Sequence, residues 1–209
     1  MTEAAKAATK KPVERPHVPE RSTSDADPRV ASRENGTKPT ASEGVLVLDF
    51  GGQYSQLIAR RIRECGVFSE LLPHDTPIEA IRERHPRGLV LSGGPASVYS
   101  DGAPGLRKEL LELGIPVLGI CYGMQLMVHE LGGRVGQAPA GEFGRTSLSL
   151  RDGGGRLLEG LPAEQQCWMS HRDTVFEPPP GFTALASSPE SPVAATEDTK
   201  RQLYGIQFH

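Results

Sequence analysis

The sequence predicts an α/β fold: a mostly parallel central sheet, mixed toward one end and flanked by helices. Three observations carry that prediction. Short apolar runs rich in branched residues, "VLVLDF", "GLVLSGG" and "PVLGI", read as strands buried on both faces. Segments with apolar residues at helical spacing lie between them, and such alternation implies parallel strands joined by crossovers. Beyond Gly133 the pattern shifts to short strand-like runs separated by Gly, Pro and Ser, which should complete the sheet with some antiparallel pairing.

Residues 1–43 stand apart. They contain no Leu, Ile, Phe, Tyr or Trp, proline recurs, and both charge signs are mixed. Such a segment buries too little apolar area to offset its ordering entropy, so a disordered N-terminal tail is expected, followed by one domain over 44–209. "VLVLDF" is the first strand of that domain. "QYSQLIARRIREC" puts Tyr54, Leu57, Ile58 and Ile62 on one helical face, with Arg60, Arg61, Arg63 and Glu64 elsewhere and Gly66 as the stop. "VFSELL" is a second strand, and "IEAIRER" a short helix after Pro77. "GLVLSGG" is a third strand running into a Gly-Gly-Pro turn. Pro104 opens a helix over "LRKELLEL" that Gly114 closes. "PVLGI" is a fourth strand. "MQLMVHEL" then carries Met124, Met127, Val128 and Leu131 at helical spacing until Gly132-Gly133. "RTSLSLRD", "QQCWMSH", "GFTALASS", "PVAAT" and "QLYGIQF" follow as short strands, with no internal repeat.

Global features exclude several function classes. A formal net charge of -3 points neither to nucleic acid nor to a membrane surface. No apolar stretch approaches the roughly 20 residues that span a bilayer. No apolar core of a secretory signal opens the chain, and acidic residues from Glu3 onward argue against a mitochondrial transit peptide. The three cysteines, Cys65, Cys121 and Cys167, form no C-x-x-C pair, so no metal site is expected. An odd, sparse set without a signal fits free thiols in a reducing cytoplasm.

The chemistry concentrates at "GICYGMQ", residues 119–125. Ligands in open parallel sheets sit beyond the carboxyl ends of the strands, which is where Cys121 falls. Gly119-x-Cys121-x-Gly123 parallels the G-x-S-x-G elbow, a strained strand-to-helix turn that lifts a nucleophile clear of the sheet. A helix N-terminus at the sulfur should also lower its pKa. "SGGP" follows the third strand at the same sheet end, so the N–H groups of Gly94 and of Tyr122 are candidate oxyanion donors. A thiol nucleophile wants a base. His17 lies in the tail, His74 and His85 border turns, and His129 faces away from its helix's apolar stripe. His171 in "WMSHRD" and His209 in "YGIQFH" remain, and spacing does not choose between them.

"GICYGMQ", "SGGP" and the terminal "GIQFH" resemble the triad-type class I glutamine amidotransferases. "VLDFGGQYSQLIARRIRE", "LSGGPASVY", "EFGRTSL" and "WMSHRDTV" are similar, more narrowly, to the amidotransferase domains of GMP synthases. The resemblance covers residues 44–209 and leaves the tail without a counterpart. It implies a three-layer, flavodoxin-like fold. It also implies Cys121 as the nucleophile, His209 as the base, Gly94 and Tyr122 as oxyanion donors, and Gln125, Ser170, His171 and Asp173 as holders of substrate glutamine. Glu142-Phe143-Gly144 matches a family segment to which no chemistry is assigned. The implied reaction is hydrolysis of L-glutamine through a thioester, with ammonia passed to an ATP-pyrophosphatase domain, in the same chain or as a separate polypeptide, that aminates XMP to GMP. ATP and Mg belong to that synthetase domain, and no cofactor is expected in this one. The sequence departs from the family in two places. It stops at His209, where the family continues Pro-Glu, so a domain truncated at its C-terminal edge and lacking its orienting acid is expected. Arg172 stands where glycine is usual, strained if the backbone there has a positive φ. Two other readings remain: an amidotransferase of an anthranilate or CTP synthase, and a catalytically silent glutamine-binding or docking module.

Overall fold

The computed structural model describes residues 44–209. The tail over 1–43, expected to be disordered, lies outside the described residues. The elements begin with β1 (Val45–Asp49), α1 (Ser55–Glu64), β2 (Ser69–Pro73), α2 (Ile78–Arg82) and β3 (Gly88–Leu91). A 3₁₀ stretch, Lys108–Glu112, precedes β4 (Val117–Ile120) and α3 (Tyr122–Glu130). Five further strands follow: β5 (Arg134–Leu150), β6 (Glu164–Glu177), β7 (Thr183–Ser187), β8 (Ala195–Asp198) and β9 (Leu203–Ile206). They form one nine-stranded sheet in the order β2-β1-β3-β4-β9-β8-β7-β5-β6. From β2 to β9 the neighbours are parallel; from β9 to β6 they are antiparallel.

The parallel half reads as the sequence predicts. Alternate residues of β1, β3 and β4 face opposite layers. Leu46, Leu48, Leu89, Leu91 and Val117 pack with Ile81, Leu110, Tyr122, Leu126 and Met127, so α2, the 3₁₀ stretch and α3 cover one face. Val47, Val90 and Ile120 pack with Ala59 and the partly buried Ile58 and Ile62 of α1 on the other. Each fully buried large apolar side chain contributes about 1.5–3 kcal/mol by leaving water. Two more buried clusters involve the antiparallel half: Leu148, Met169, Leu185 and Ala195 pack in one, Met124, Val128, Val135 and Val175 in the other. Among the described residues no helix is long and apolar enough to cross a membrane.

The structure corrects four details. The helix over 106–113 is a 3₁₀ stretch of five residues, with only Leu110 and Leu111 buried. Tyr54 and Leu57 do not join the buried face of α1; they are 49% and 43% exposed. α3 is buried all round from Tyr122 to Val128 rather than on one stripe, because the sheet meets one side and β5 and β6 the other. The runs "RTSLSLRD" and "QQCWMSH" belong to strands of 17 and 14 residues paired as a long antiparallel hairpin. Gly136, Pro139, Gly141 and Gly144 break the alternation of β5 and read as turns in sequence. In the fold the irregularity between Gln137 and Glu142 absorbs them without ending the strand.

Candidate active site

Because β1, β3, β4 and β9 run parallel, their carboxyl ends share one rim. The loops leaving that rim enclose a cavity of about 320 Å³ lined by Gly51, Gly52, Gly94, Cys121, Ser170 and His209 among others. The register places the site closely. Gly119 and Ile120 of β4 pair with Gly205 and Ile206 of β9, and the Cys121 N–H donates to the Ile206 carbonyl at 2.8 Å.

Cys121 has φ 52° and ψ -109°, a conformation that costs a non-glycine residue energy and recurs at functional turns. It is the elbow the spacing predicts. Its flanking glycines are required by close approach. A Cβ on Gly119 would lie 2.7 Å from the Gly123 carbonyl and Met124 backbone, and one on Gly123 would strike the Leu91 carbonyl. The Gly123 N–H donates to the Ser92 carbonyl at 3.1 Å and the Gln125 N–H to the Cys121 carbonyl at 3.0 Å, so α3 starts at the sulfur.

The electrostatics at that sulfur differ from the expectation. Burial pushes the thiol up to about 11, although hydrogen bonds from the Tyr122 backbone and the Gln207 side chain act the other way. Cys121 is 6% exposed, and removing a thiolate from water outweighs the helix terminus and both donors. The resting side chain is therefore a thiol. Its sulfur accepts from Gln207 Nε2 at 3.4 Å. His209 lines the same cavity with its ring against Tyr54, centroids 5.0 Å apart, and its backbone N–H on the Trp168 carbonyl at 3.3 Å. Its pKa is lowered, first by burial and then by the charge of His171, which keeps the imidazole neutral near pH 7. His171 is placed differently. Its Nε2 lies 3.0 Å from Glu142 Oε2 and its Nδ1 3.0 Å from the Asp173 carbonyl, so both ring nitrogens are already engaged. Of the two histidines that spacing left open, His209 is the one free to face the sulfur's cavity.

A second cavity of about 590 Å³ adjoins the first and shares Gly94, Cys121 and Ser170 with it; Gln125, His171, Arg172 and Asp173 line it further. Gln125 Nε2 donates to the Asp173 carbonyl at 2.7 Å and to Gln207 Oε1 at 3.1 Å, leaving its oxygen as the group available to a ligand. Asp173 Oδ2 is buried without a hydrogen-bond partner, the sole such side-chain atom among the described residues. An unpaired buried carboxylate oxygen favours a cationic group. No N–H donation from Gly94 to a protein acceptor occurs among the described residues, and Tyr122 directs its N–H toward the Cys121 sulfur. Arg172 is exposed and does not adopt a positive φ, so the arginine is accommodated without the strain anticipated from the missing glycine.

Two residues escaped the sequence reading. Gln207 is fully buried and touches the sulfur, and Glu142 is buried against His171. Gln207 left one signal, an amide between Ile206 and Phe208 in an otherwise apolar run. Glu142 left none beyond its segment. A further cavity of about 720 Å³ on the α1 side is mainly apolar, walled by Leu57, Ile62, Leu118, Phe143, Trp168 and Ile206, with His209 at the boundary between it and the sulfur's cavity.

The profile of the glutamine amidotransferase class-I family matches residues 46–209. The chain belongs to that family. Within it, a "GMP synthase [glutamine-hydrolyzing]" from Clostridium perfringens is 53% identical over 165 residues, 79% of this chain and 32% of that protein. One of the same name from Parafrankia sp. is 53% identical over 182 residues, 87% of this chain and 34% of its own length. The chain thus spans about a third of the curated relatives it matches. A solved structure from Thermoplasma acidophilum, described as a candidate GMP synthase subunit, superposes with a TM-score of 0.69 at 31% identity, over 80% of this chain and 83% of that one. A glutamine amidotransferase from Thermotoga maritima, at 22% identity and TM-score 0.63 over 80% of this chain and 76% of its own, shares the fold.

Proposed function

We propose that this chain is the glutaminase portion of a GMP synthase, with Cys121 as nucleophile and His209 as base. The observation that carries the reading is the strained Cys121 elbow on a cavity shared with Gly94 and His209. Because the resting sulfur is a protonated thiol, the first step is proton transfer to the neutral His209 as Cys121 attacks the side-chain amide carbon of L-glutamine. The oxyanion is received by the N–H groups of Gly94 and Tyr122, each such donor contributing on the order of a hundredfold or more in rate. His209 then protonates the departing ammonia, leaving a thioester. The same imidazole next removes a proton from water, which attacks the thioester and releases glutamate and the thiol. The Asp173 carboxylate and the Gln125 side-chain oxygen suit the α-ammonium of glutamine, and the exposed Arg172 suits its carboxylate.

Ammonia passes to an ATP-pyrophosphatase domain, in the same polypeptide or in a separate one, where XMP is aminated to GMP with ATP and Mg. The glutaminase portion itself needs L-glutamine and no cofactor, contacts neither nucleic acid nor membrane, and works in the cytoplasm. The GMP synthase relatives over the amidotransferase region support this assignment over an anthranilate or CTP synthase partner. The test has two arms. An electrophilic glutamine analogue should add its mass to Cys121 in the wild type and not in Cys121→Ser; a folded wild type that takes no adduct favours the silent binding module. Mixing the chain with an XMP-aminating domain should give glutamine-dependent GMP, and its absence counts against the purine assignment.

A further inference from the structure

Glu142 is an acid buried to 6% exposure on β5, in the segment to which the sequence assigned no chemistry. Its two oxygens meet three polar partners. Ser188 Oγ donates to Oε2 at 2.7 Å, His171 Nε2 lies 3.0 Å from the same oxygen, and the Glu190 backbone N–H donates to Oε1 at 3.3 Å. Glu142 thus anchors the ring at Nε2, while Nδ1 on its other side lies 3.0 Å from the Asp173 carbonyl.

The Asp173 carbonyl that receives this ring also receives Gln125 Nε2 at 2.7 Å, and the same nitrogen donates to Gln207 Oε1 at 3.1 Å. Gln207 Nε2 in turn reaches the Cys121 sulfur at 3.4 Å. Glu142 thus stands at the far end of a continuous line of hydrogen bonds that begins at the nucleophile. We propose that Glu142 is a positioning residue of the glutaminase site: it clamps the His171 ring on the Asp173 carbonyl, which fixes the 170–173 cradle that receives glutamine. This rests on the glutaminase reading above. The turn between β7 and β8 completes the clamp with Ser188 and the Glu190 backbone N–H.

The experiment compares the full chain with Glu142→Gln and Glu142→Asp. In Glu142→Gln the KM for glutamine should rise roughly tenfold, the equivalent of one hydrogen bond, with kcat changed less than about twofold and partial recovery in Glu142→Asp. Glutamine binding by Cys121→Ser, read by calorimetry, should weaken by the same factor when Glu142→Gln is added. An unchanged KM and affinity in Glu142→Gln overturns the proposal. If Glu142→Gln fails to fold, Glu142→Asp decides, and an unchanged KM in it overturns the proposal. If the wild type takes no glutamine analogue, the glutaminase reading fails, and the nitrogen-15 signals of the His171 ring still decide this one: they should move in Glu142→Gln, and unmoved signals overturn it.

Discussion

At Cys121 the backbone and the surroundings act on the sulfur in different ways. The strained elbow turns the side chain to the cavity, while burial holds the proton on it. The expected consequence is a slow, pH-driven reactivity in the absence of substrate. Alkylation of Cys121 by a small neutral reagent should accelerate with pH up to about 11, following the thiolate fraction; a plateau near neutrality would contradict the burial argument. His209 has the opposite sign. Its lowered pKa places the neutral form in excess at pH 7, so the acid limb of glutamine hydrolysis should fall below about 6.5, the ordinary histidine value. A pH–rate profile measures it directly. Replacing Gln207 with Leu should lower kcat with little change in KM, because it removes a donor to the sulfur and none to the substrate. The nucleophile was legible in sequence because its signal is local, two glycines at fixed spacing around a cysteine. Gln207 and Glu142 were not, because their partners Gln125 and His171 lie 82 and 29 residues away and only the fold brings them together. The same distance explains why spacing left His171 and His209 equal: the carboxylate that engages one of them sits on another strand.

At the scale of the elements, the turn from β4 to α3 is closely packed. Gly123 packs its Cα against the Leu91 carbonyl, so Gly123→Ala forces strand and helix apart. Overpacking of this kind costs about 1–3 kcal/mol, and a urea titration should show the midpoint fall by that equivalent. Gly132, with open space around its missing Cβ, carries no such clash. The parallel strands were readable because strands covered on both faces are continuous apolar runs, and β1, β3 and β4 are of that kind. The length of β5 and β6 was not. A hairpin with one face open alternates weakly, and the glycines and proline of β5 carry the same sequence signature whether they end a strand or bulge it. The segment most misjudged is therefore the one that brings Glu142, Ser170, His171 and Asp173 to the cavity.

Over the described residues, buried apolar clusters back both halves of the sheet, and the site joins the halves: it occupies the carboxyl rim of the parallel half and borrows β6 from the antiparallel half. Leu91→Ala, in the first layer, should cost about 2–5 kcal/mol of unfolding free energy, whereas Arg60→Ala, which breaks an exposed pair with Glu64, should leave the denaturation midpoint where it is. The outer surface of the α1 layer has a further consequence. Trp168 is the chain's single tryptophan, and it stands 65% exposed at the lip of the large apolar trough. The intrinsic emission of this chain is accordingly that of one indole in water, so any contact that dries the trough will announce itself as a blue shift, with no label attached.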